Sequence, residues 1–402
     1  MQIRNAGVEL SGQCDLEVFR LLTMSVYPER AVDRDRWILA RRSPRGLVDP
    51  QRPHGFLEEK EYAESGEIVS TATIFLTNRE CPWRCVMCDL WKNTLTETVP
   101  VGAIPAQIDY ALSELHHRAG VSPAHESADH PCEHEPAFEN VCGRESSRRR
   151  DAGPTLRQIK LYNSGSFFDP RAIPPEDYSG IADRVRGFER VIVECHPGLV
   201  GERCLKFRDL LLRKNAKSGS RRCVEALLLT SAATRLEVAM GLETANPLVL
   251  EKLNKRMTLE HFSRAAEFLR QNDIALRVFI LVKPPFIVDE AQALHWAERS
   301  IDFAFDCDAS VVSLIPTRFG NGALEGLAAT GEFSPPKLAT LESATDYGIA
   351  LERGRVFADL WDVEKFSDCA ECFPKRLERL RLMNQDQVVR PGLQCSHCGT
   401  DS

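Results

Sequence analysis

The feature that most constrains the fold is an alternation of two patterns between residues 68 and 316. Short apolar runs rich in β-branched residues alternate there with longer amphipathic stretches such as 259–271 and 290–304, a succession typical of repeated βα units around a parallel sheet. We therefore expect an α/β fold in which six units form a partial (β/α)6 barrel of the TIM type. The predicted strands cover residues 68–76, 158–162, 190–194, 236–242, 276–282 and 310–315.

The chain has 402 residues, enough for one large α/β domain with small additions. We predict an N-terminal extension over residues 1–55, a core over 56–325, and a C-terminal helical and cysteine-rich metal module over 326–402. Two stretches lack any apolar period and predict surface loops inside the core. They are residues 116–155, rich in His, Ser, Glu and Arg, and residues 213–223.

Composition and charge narrow the function classes. A net charge of −7 argues against a protein that coats nucleic acid through a broad positive field. No apolar run approaches the roughly 20 residues that cross a bilayer, and the first residues lack the basic-then-apolar order of a secretory signal. We expect a cytoplasmic protein without membrane contact.

Three cysteines follow the first predicted strand with the spacing C-x3-C-x2-C: Cys81, Cys85 and Cys88. In a chain predicted to be cytoplasmic, clustered cysteines favour metal ligation over disulfides. Three thiolates in one loop can hold a cubane of four irons and leave one iron open for a substrate or cofactor. A zinc knuckle, or three unrelated core cysteines, would give the same spacing.

This motif, placed directly after a first strand, resembles the signature of the radical S-adenosylmethionine (SAM) superfamily. The resemblance implies a 4Fe-4S cluster on Cys81, Cys85 and Cys88, with SAM bound to the open iron through its amino and carboxylate groups. It further implies cleavage of SAM by one electron to a 5′-deoxyadenosyl radical that abstracts hydrogen from a substrate. The electron would come from a reductant such as ferredoxin or flavodoxin, and no catalytic side chain is implied beyond the cluster ligands.

The resemblance also assigns SAM-binding positions at the ends of later strands, where the loops of such folds converge. A glycine-containing segment after the second strand, 163–166, matches one that meets the SAM amino group, although an ordinary βα turn has the same composition. Met87 stands where the family often has an aromatic residue near the adenine. The matching residues of the segment are Asn163, Ser164, Gly165 and Ser166.

Three charged residues complete the predicted SAM site. Glu243 resembles an acidic residue that binds the ribose hydroxyls, and Glu194 is its alternative or partner. Either carboxylate could instead be a structural cap or a salt bridge at the barrel mouth. Lys283 is predicted to neutralise the SAM carboxylate or a substrate phosphate, with a solvated lysine as the alternative.

A second cysteine group lies near the C-terminus as two C-x2-C pairs. Four thiolates with this spacing predict a zinc site, with an auxiliary Fe–S cluster as the rival. The basic segment 375–381 between the pairs predicts a helix whose charged face is solvated or contacts an RNA backbone. The four cysteines are Cys369, Cys372, Cys395 and Cys398, and further potential metal ligands in the 116–155 stretch are His125, His130, Cys132, His134 and Cys142.

The order of these motifs over residues 55–320 resembles the branch of the superfamily related to the elongator catalytic subunit, with the archaeosine synthase radical SAM subunit as the nearest likeness. That resemblance implies a tRNA nucleoside as substrate and cleavage of a carbon–nitrogen bond in an attached side chain. Two other functions remain open from the sequence. One is a radical SAM enzyme for a small metabolite or peptide, and the other is a non-catalytic metal-binding interaction protein.

Overall fold

The computed structural model describes residues 27–120, 156–213 and 233–399. Its strands are β1 (Gly55–Tyr62), β2 (Ile68–Leu76), β3 (Leu156–Asn163), β4 (Arg190–Glu194), β5 (Arg235–Glu243), β6 (Ala275–Val282), β7 (Val311–Pro316) and β8 (Arg355–Ala358).

Helices follow or flank these strands, and short 3-10 turns lie at Leu90–Asn93, Pro197–Leu199 and Val363–Phe366. The α-helices are α1 (Ala31–Leu39), α2 (Ala103–Gly120), α3 (Asp177–Val185), α4 (Glu202–Leu212), α5 (Pro247–Lys252), α6 (Leu259–Gln271), α7 (Glu290–Asp306), α8 (Ala323–Ala328), α9 (Leu338–Ala350) and α10 (Phe373–Asp386).

The strands form one sheet in sequential order from β1 to β8. β1 pairs antiparallel with β2, and the pairs that follow are parallel. The sheet curls until its two edge strands approach each other, where Arg355 of β8 donates a hydrogen bond to the carbonyl oxygen of Tyr62 at 3.2 Å. Helix α10 packs against both edge strands. The result is a half-barrel with helices on its outside.

The outer face of the sheet is apolar because alternate strand residues point toward the helices. Leu161, Val193, Val278 and Leu314 on this face are fully buried. The covering helices begin at side-chain caps, as at Thr258, whose hydroxyl accepts a hydrogen bond from the amide of His261 at 3.2 Å. Burial of this face supplies the main driving force for folding.

The inner face carries buried charges near the amino ends of the strands. We call Glu61, Lys160, Arg190, Glu237 and Arg277 the inner ionic layer. Arg277 donates to Glu237 and to Glu61, each at 2.6 Å, and Arg190 donates to Glu237 at 2.8 Å. Lys160 pairs with Glu61. Burial disfavours the Glu237 carboxylate, yet the guanidinium groups of Arg277 and Arg190 hold the pKa of Glu237 below its ordinary value.

The predicted strands are all present to within two residues, and the predicted partial barrel with a C-terminal cysteine group is confirmed. The sheet contains two strands that were not predicted. β1 has four consecutive charged residues, 58–61, and β8 has only four residues. Because β8 joins the same sheet, the sheet extends past residue 325, where we placed the end of the core. The division into domains remains a prediction.

The predicted loop over 116–155 begins within α2, which continues through Gly120. The rest of that loop, with its histidines and cysteines, lies outside the described residues, as do nearly all of the loop 213–223 and the first 26 residues. Among the described helices, none combines the length and the apolar character needed to cross a membrane.

Replacing Glu237 tests whether the inner ionic layer holds the half-barrel together. Glu237→Gln leaves Arg190 and Arg277 without their shared carboxylate, so we expect the free energy of unfolding to fall by about 3–5 kcal/mol, measured by urea denaturation. Because the pKa of Glu237 is lowered in the folded state, its contribution is present above the unfolded pKa of about 4.3 and is lost as the pH falls. Glu267→Gln, at an exposed pair with Arg270, is the matched control and should leave stability unchanged; equal losses would contradict the account.

Candidate active site

The loop that follows β2 carries the three predicted cluster ligands, and its backbone is fixed to the barrel mouth. We call residues 81–88 the cysteine loop. Its Val86 donates a backbone hydrogen bond to Leu253 at 3.0 Å, and the Asn321 amide donates to the Val86 carbonyl oxygen at 2.7 Å. Within the loop, the Cys88 amide donates to the Cys85 carbonyl oxygen at 3.2 Å. The three thiols are thereby held together at the carboxyl end of the sheet.

Three arginines converge on Glu80, the residue just before the cysteine loop. Arg42 and Arg84 lie 2.7 and 3.1 Å from its carboxylate, and Arg45 also pairs with it. Arg84 donates in addition to the Cys81 carbonyl oxygen at 2.5 Å. Three cations around one carboxylate leave net positive charge beside the thiols, which favours an anionic thiolate cluster there.

The glycine segment after β3 lies directly against the cysteine loop. A Cβ atom at Gly165 would stand 2.9 Å from Cβ of Cys81 and 3.6 Å from its sulfur, and Gly165 has φ of +149°. The backbone amide of Ser164 donates to the Asn78 side chain at 3.3 Å. Ser166 donates to Cys195 at 3.5 Å. Only a residue without a side chain allows this close approach to Cys81; the predicted role of Gly165 in binding SAM remains a prediction.

An ion pair stands at the end of β5. Lys255 donates to the carboxylate of Glu243 and, at 2.5 Å, to the carbonyl oxygen of Gly241. Burial disfavours the ammonium group, but the Glu243 carboxylate outweighs burial and holds the pKa of Lys255 above its ordinary value. The charge of Lys255 also acts on Cys85 and Cys81. Lys255 was not predicted, because no strand or motif marks its position in the sequence.

Glu194 is half-buried at the end of β4, and the backbone amide of Asn163 donates to its carboxylate at 3.0 Å. Burial raises the pKa of Glu194 to about 8. The side chain of Asn163 is itself buried, and neither its amide nitrogen nor its amide oxygen has a hydrogen-bond partner among the described residues. Glu194 and Asn163 thus offer a carboxyl group and an amide group with which a ligand could form hydrogen bonds.

Two residues that were predicted to bind SAM, Lys283 and Met87, contact groups outside the cysteine loop or on its apolar side. Lys283 is buried and pairs with Glu290, and it also donates to the Pro335 carbonyl oxygen at 3.3 Å. Met87 packs, partly exposed, on a second apolar cluster that includes Val86. The roles predicted for Lys283 and Met87 remain predictions, but Lys255 rather than Lys283 is the lysine whose charge reaches the cysteines.

His196 and Trp83 form a contact that the sequence did not predict. Their rings stack with centroids 3.7 Å apart and an interplanar angle of 11°. The Nδ1 atom of His196 accepts a hydrogen bond from the Gly198 amide at 3.0 Å, so its Nε2–H donates to the Lys255 carbonyl oxygen, also at 3.0 Å. Burial lowers the pKa of His196 to about 3. His196 therefore ties the cysteine loop to the segment that carries Lys255.

The residues present fit a 4Fe-4S cluster with bound SAM. Burial raises the pKa of Cys81 to about 12 and that of Cys88 to about 11, so a metal must displace the protons to make thiolates. Three thiolates in one loop can each bind a different iron of a cubane.

The C-terminal cysteines are gathered around a single point. The sulfurs of all four, Cys369, Cys372, Cys395 and Cys398, lie within 4.8 Å of one another. Four thiolates at about 2.3 Å from one tetrahedral zinc ion stand about 3.8 Å apart, and the sulfurs of Cys372 and Cys398 are 3.9 Å apart. A cubane needs its thiolates further apart, because each binds a different iron. The geometry therefore fits one tetrahedral ion.

The basic helix beside this group, α10, turns two of its arginines inward. Arg376 forms a buried pair with Glu342, and Arg379 pairs with Asp346 at 2.7 Å. Both arginines are about 5% exposed or less. The predicted solvated or RNA-contacting face is therefore wrong for Arg376 and Arg379, because both pair with acidic residues of α9. Contact with RNA remains a prediction for the two exposed basic residues, Lys375 and Arg381.

Fold and site together define a half-barrel with a three-cysteine loop at the carboxyl end of its parallel strands. No family model matches the chain. Archaeosine synthase subunit beta of Methanosarcina acetivorans is 30% identical over 185 residues, which cover 45% of this chain and 47% of that protein. An uncharacterised protein of Methanocaldococcus jannaschii is 24% identical over 259 residues, covering 60% and 64%. The resemblance to archaeosine synthase that the motifs indicated is thus confirmed.

Among solved structures, the chain is similar to coproporphyrinogen III oxidase of Escherichia coli, described as a radical SAM enzyme. The identity is 12%, the TM-score is 0.36, and the match covers 83% of this chain and 60% of that one. The chain spans 47–64% of the length of the curated relatives given above.

Gly165→Ala tests the contact between the glycine segment and the cysteine loop. The added Cβ would stand 2.9 Å from Cβ of Cys81, so the loop must move, and we expect the iron bound per chain after anaerobic reconstitution to fall severalfold. Gly201→Ala, where a Cβ would meet no atom within 4 Å, is the matched control. Normal iron content in Gly165→Ala, with normal circular dichroism in both variants, would refute the proposed contact.

The two cysteine groups should bind different metals. Cys372→Ala is expected to lose zinc and keep iron, and Cys85→Ala to lose iron and keep zinc, because each removes one ligand from only one site. Elemental analysis of the reconstituted proteins measures both metals, with Cys307→Ala as a control outside either group. Iron lost from the Cys372→Ala protein would show instead that the C-terminal group holds a cluster.

Proposed function

We propose that this chain is a radical SAM enzyme. The observation that carries the proposal is the contact of Gly165 with Cys81, because it places the predicted SAM-binding segment against the predicted cluster loop. When bound, a 4Fe-4S cluster and SAM supply a carbon-centred radical able to abstract hydrogen from an unactivated position. The remaining task of the protein is binding, orientation and exclusion of water.

The proposed roles of the surrounding residues follow from their charges and positions. Cys81, Cys85 and Cys88 hold the cluster, and the backbone around Gly165 receives the SAM amino group. Lys255 is the buried cation suited to the SAM carboxylate. Glu243, which pairs with Lys255, is the carboxylate proposed to bind the ribose hydroxyls of SAM.

We further propose a nucleoside in tRNA as the substrate, with cleavage of a carbon–nitrogen bond in an attached side chain. The support is the similarity to archaeosine synthase subunit beta. An electron carrier such as ferredoxin or flavodoxin would reduce the cluster, and the cytoplasm would supply both partners. Zinc at Cys369, Cys372, Cys395 and Cys398 is proposed as a structural ion that fixes the start of α10.

The test is formation of 5′-deoxyadenosine by the reconstituted protein with SAM and dithionite under anaerobic conditions, followed by chromatography. Wild type should form it, and Cys85→Ala should reduce its rate at least a hundredfold, because one cluster ligand is lost. Cys307→Ala, which leaves all proposed ligands in place, should match wild type. A protein with a fully loaded cluster that forms no 5′-deoxyadenosine would favour a non-catalytic metal-binding protein.

A further inference from the structure

The middle of the inner sheet face carries aromatic side chains that are partly exposed. Outward-facing neighbours such as Leu161 and Val278 are fully buried, whereas Phe75, Tyr162 and Phe279 on the inner face are partly exposed. Inner residues of central strands are normally covered by the packed core of a barrel. Here the three rings are only partly covered by neighbouring side chains.

The three rings form a continuous surface across the interior, which we call the aromatic platform. Phe75 on β2 and Tyr162 on β3 have centroids 6.3 Å apart. Tyr162 and Phe279, which lie on strands β3 and β6 that do not pair, have centroids 5.9 Å apart and an interplanar angle of 86°. The platform therefore closes the interior partway along the strands.

The platform lies between the inner ionic layer and the candidate active site. Lys160 and Arg277, two residues before Tyr162 and Phe279, belong to the ionic layer, so the platform is one inward position closer to the carboxyl ends of the strands. Glu194 lies on the carboxyl-end side of the platform, since its carboxylate accepts a hydrogen bond at 3.0 Å from the backbone amide of Asn163, the residue after Tyr162. A molecule resting on the platform would thus face Glu194 and the cysteine loop.

We propose that the aromatic platform of Phe75, Tyr162 and Phe279 binds a planar heteroaromatic ring of the substrate beneath the cysteine loop. The inference rests on the proposed function, because it places the substrate under the site where SAM would be cleaved. Aromatic side chains stack on planar rings whatever substituents the rings carry, because every such ring has a π-face. The carboxyl group of Glu194 adds a hydrogen-bonding partner for ring nitrogen atoms or an amino group.

The experiment measures ring binding without turnover. Guanosine is titrated into the cluster-loaded full-length protein with SAM and no reductant, and binding is followed by saturation-transfer NMR of its ring proton. N-acetyl-leucinamide is the aliphatic comparison. The variants are Phe279→Leu and Tyr162→Leu, which keep apolar bulk but remove a ring, and Phe268→Leu on the outer helix α6, which is also partly exposed, is the matched control.

We expect guanosine to bind wild type and Phe268→Leu alike, and Phe279→Leu and Tyr162→Leu roughly tenfold more weakly, because each loses one stacking contact. N-acetyl-leucinamide should not compete. The proposal is overturned if wild type does not bind guanosine, or if both platform variants bind it as tightly as wild type. The 5′-deoxyadenosine assay without guanosine separates this outcome from a failure of the proposed function, because cleavage of SAM alone does not need the platform.

Discussion

The parallel pairing of β2 through β8 is the constraint on which the rest of the structure depends. Parallel strands bring all their carboxyl ends to one edge of the sheet. Residues separated by more than 170 positions, such as Cys81 and Lys255, therefore meet at one mouth although each follows a different strand. The glycine of the second loop then approaches the cysteines of the first, because the two loops leave neighbouring strands.

The inner face of the sheet carries charge at both ends of its strands, and the two ends differ in how that charge is satisfied. In the ionic layer, Glu237 and Glu61 are matched by Arg190, Arg277 and Lys160 at hydrogen-bonding distance. At the mouth, Glu243 is matched by Lys255, but burial leaves Glu194 with a raised pKa, and the Asn163 amide has no partner among the described residues. The polar groups that a ligand could satisfy therefore lie at the mouth.

The sequence predicted those parts of the fold that depend on local periodicity. Apolar β-branched runs identified strands β2 to β7, because parallel strands that are largely buried on both faces leave a nearly continuous apolar signal. Strand β1 was not predicted because its inner residues, Glu59 and Glu61, are charged partners of Lys160. Its sequence pattern is therefore that of a surface segment. Strand β8 has only four residues, too few for a periodic signal.

For the site, spacing predicted the ligands but not the residues that position them. The cysteine spacing and Gly165 are local signals, whereas Lys255, His196 and the arginines around Glu80 act through contacts that only the folded chain creates. The same limit applies to the C-terminal module. Its C-x2-C pairs predicted a metal group. Arg376 and Arg379 point inward because they pair with acidic residues of α9, and the sequence pattern gave no sign that α9 and α10 are in contact.

The central claim is that three thiolates hold a cluster whose fourth iron is open to SAM. Electron paramagnetic resonance of the reconstituted, reduced protein, recorded with and without SAM, tests it most directly, because zinc in the C-terminal group gives no signal. The account predicts a single cluster signal whose g values change when SAM is added. A cluster signal that SAM leaves unaltered would contradict the account.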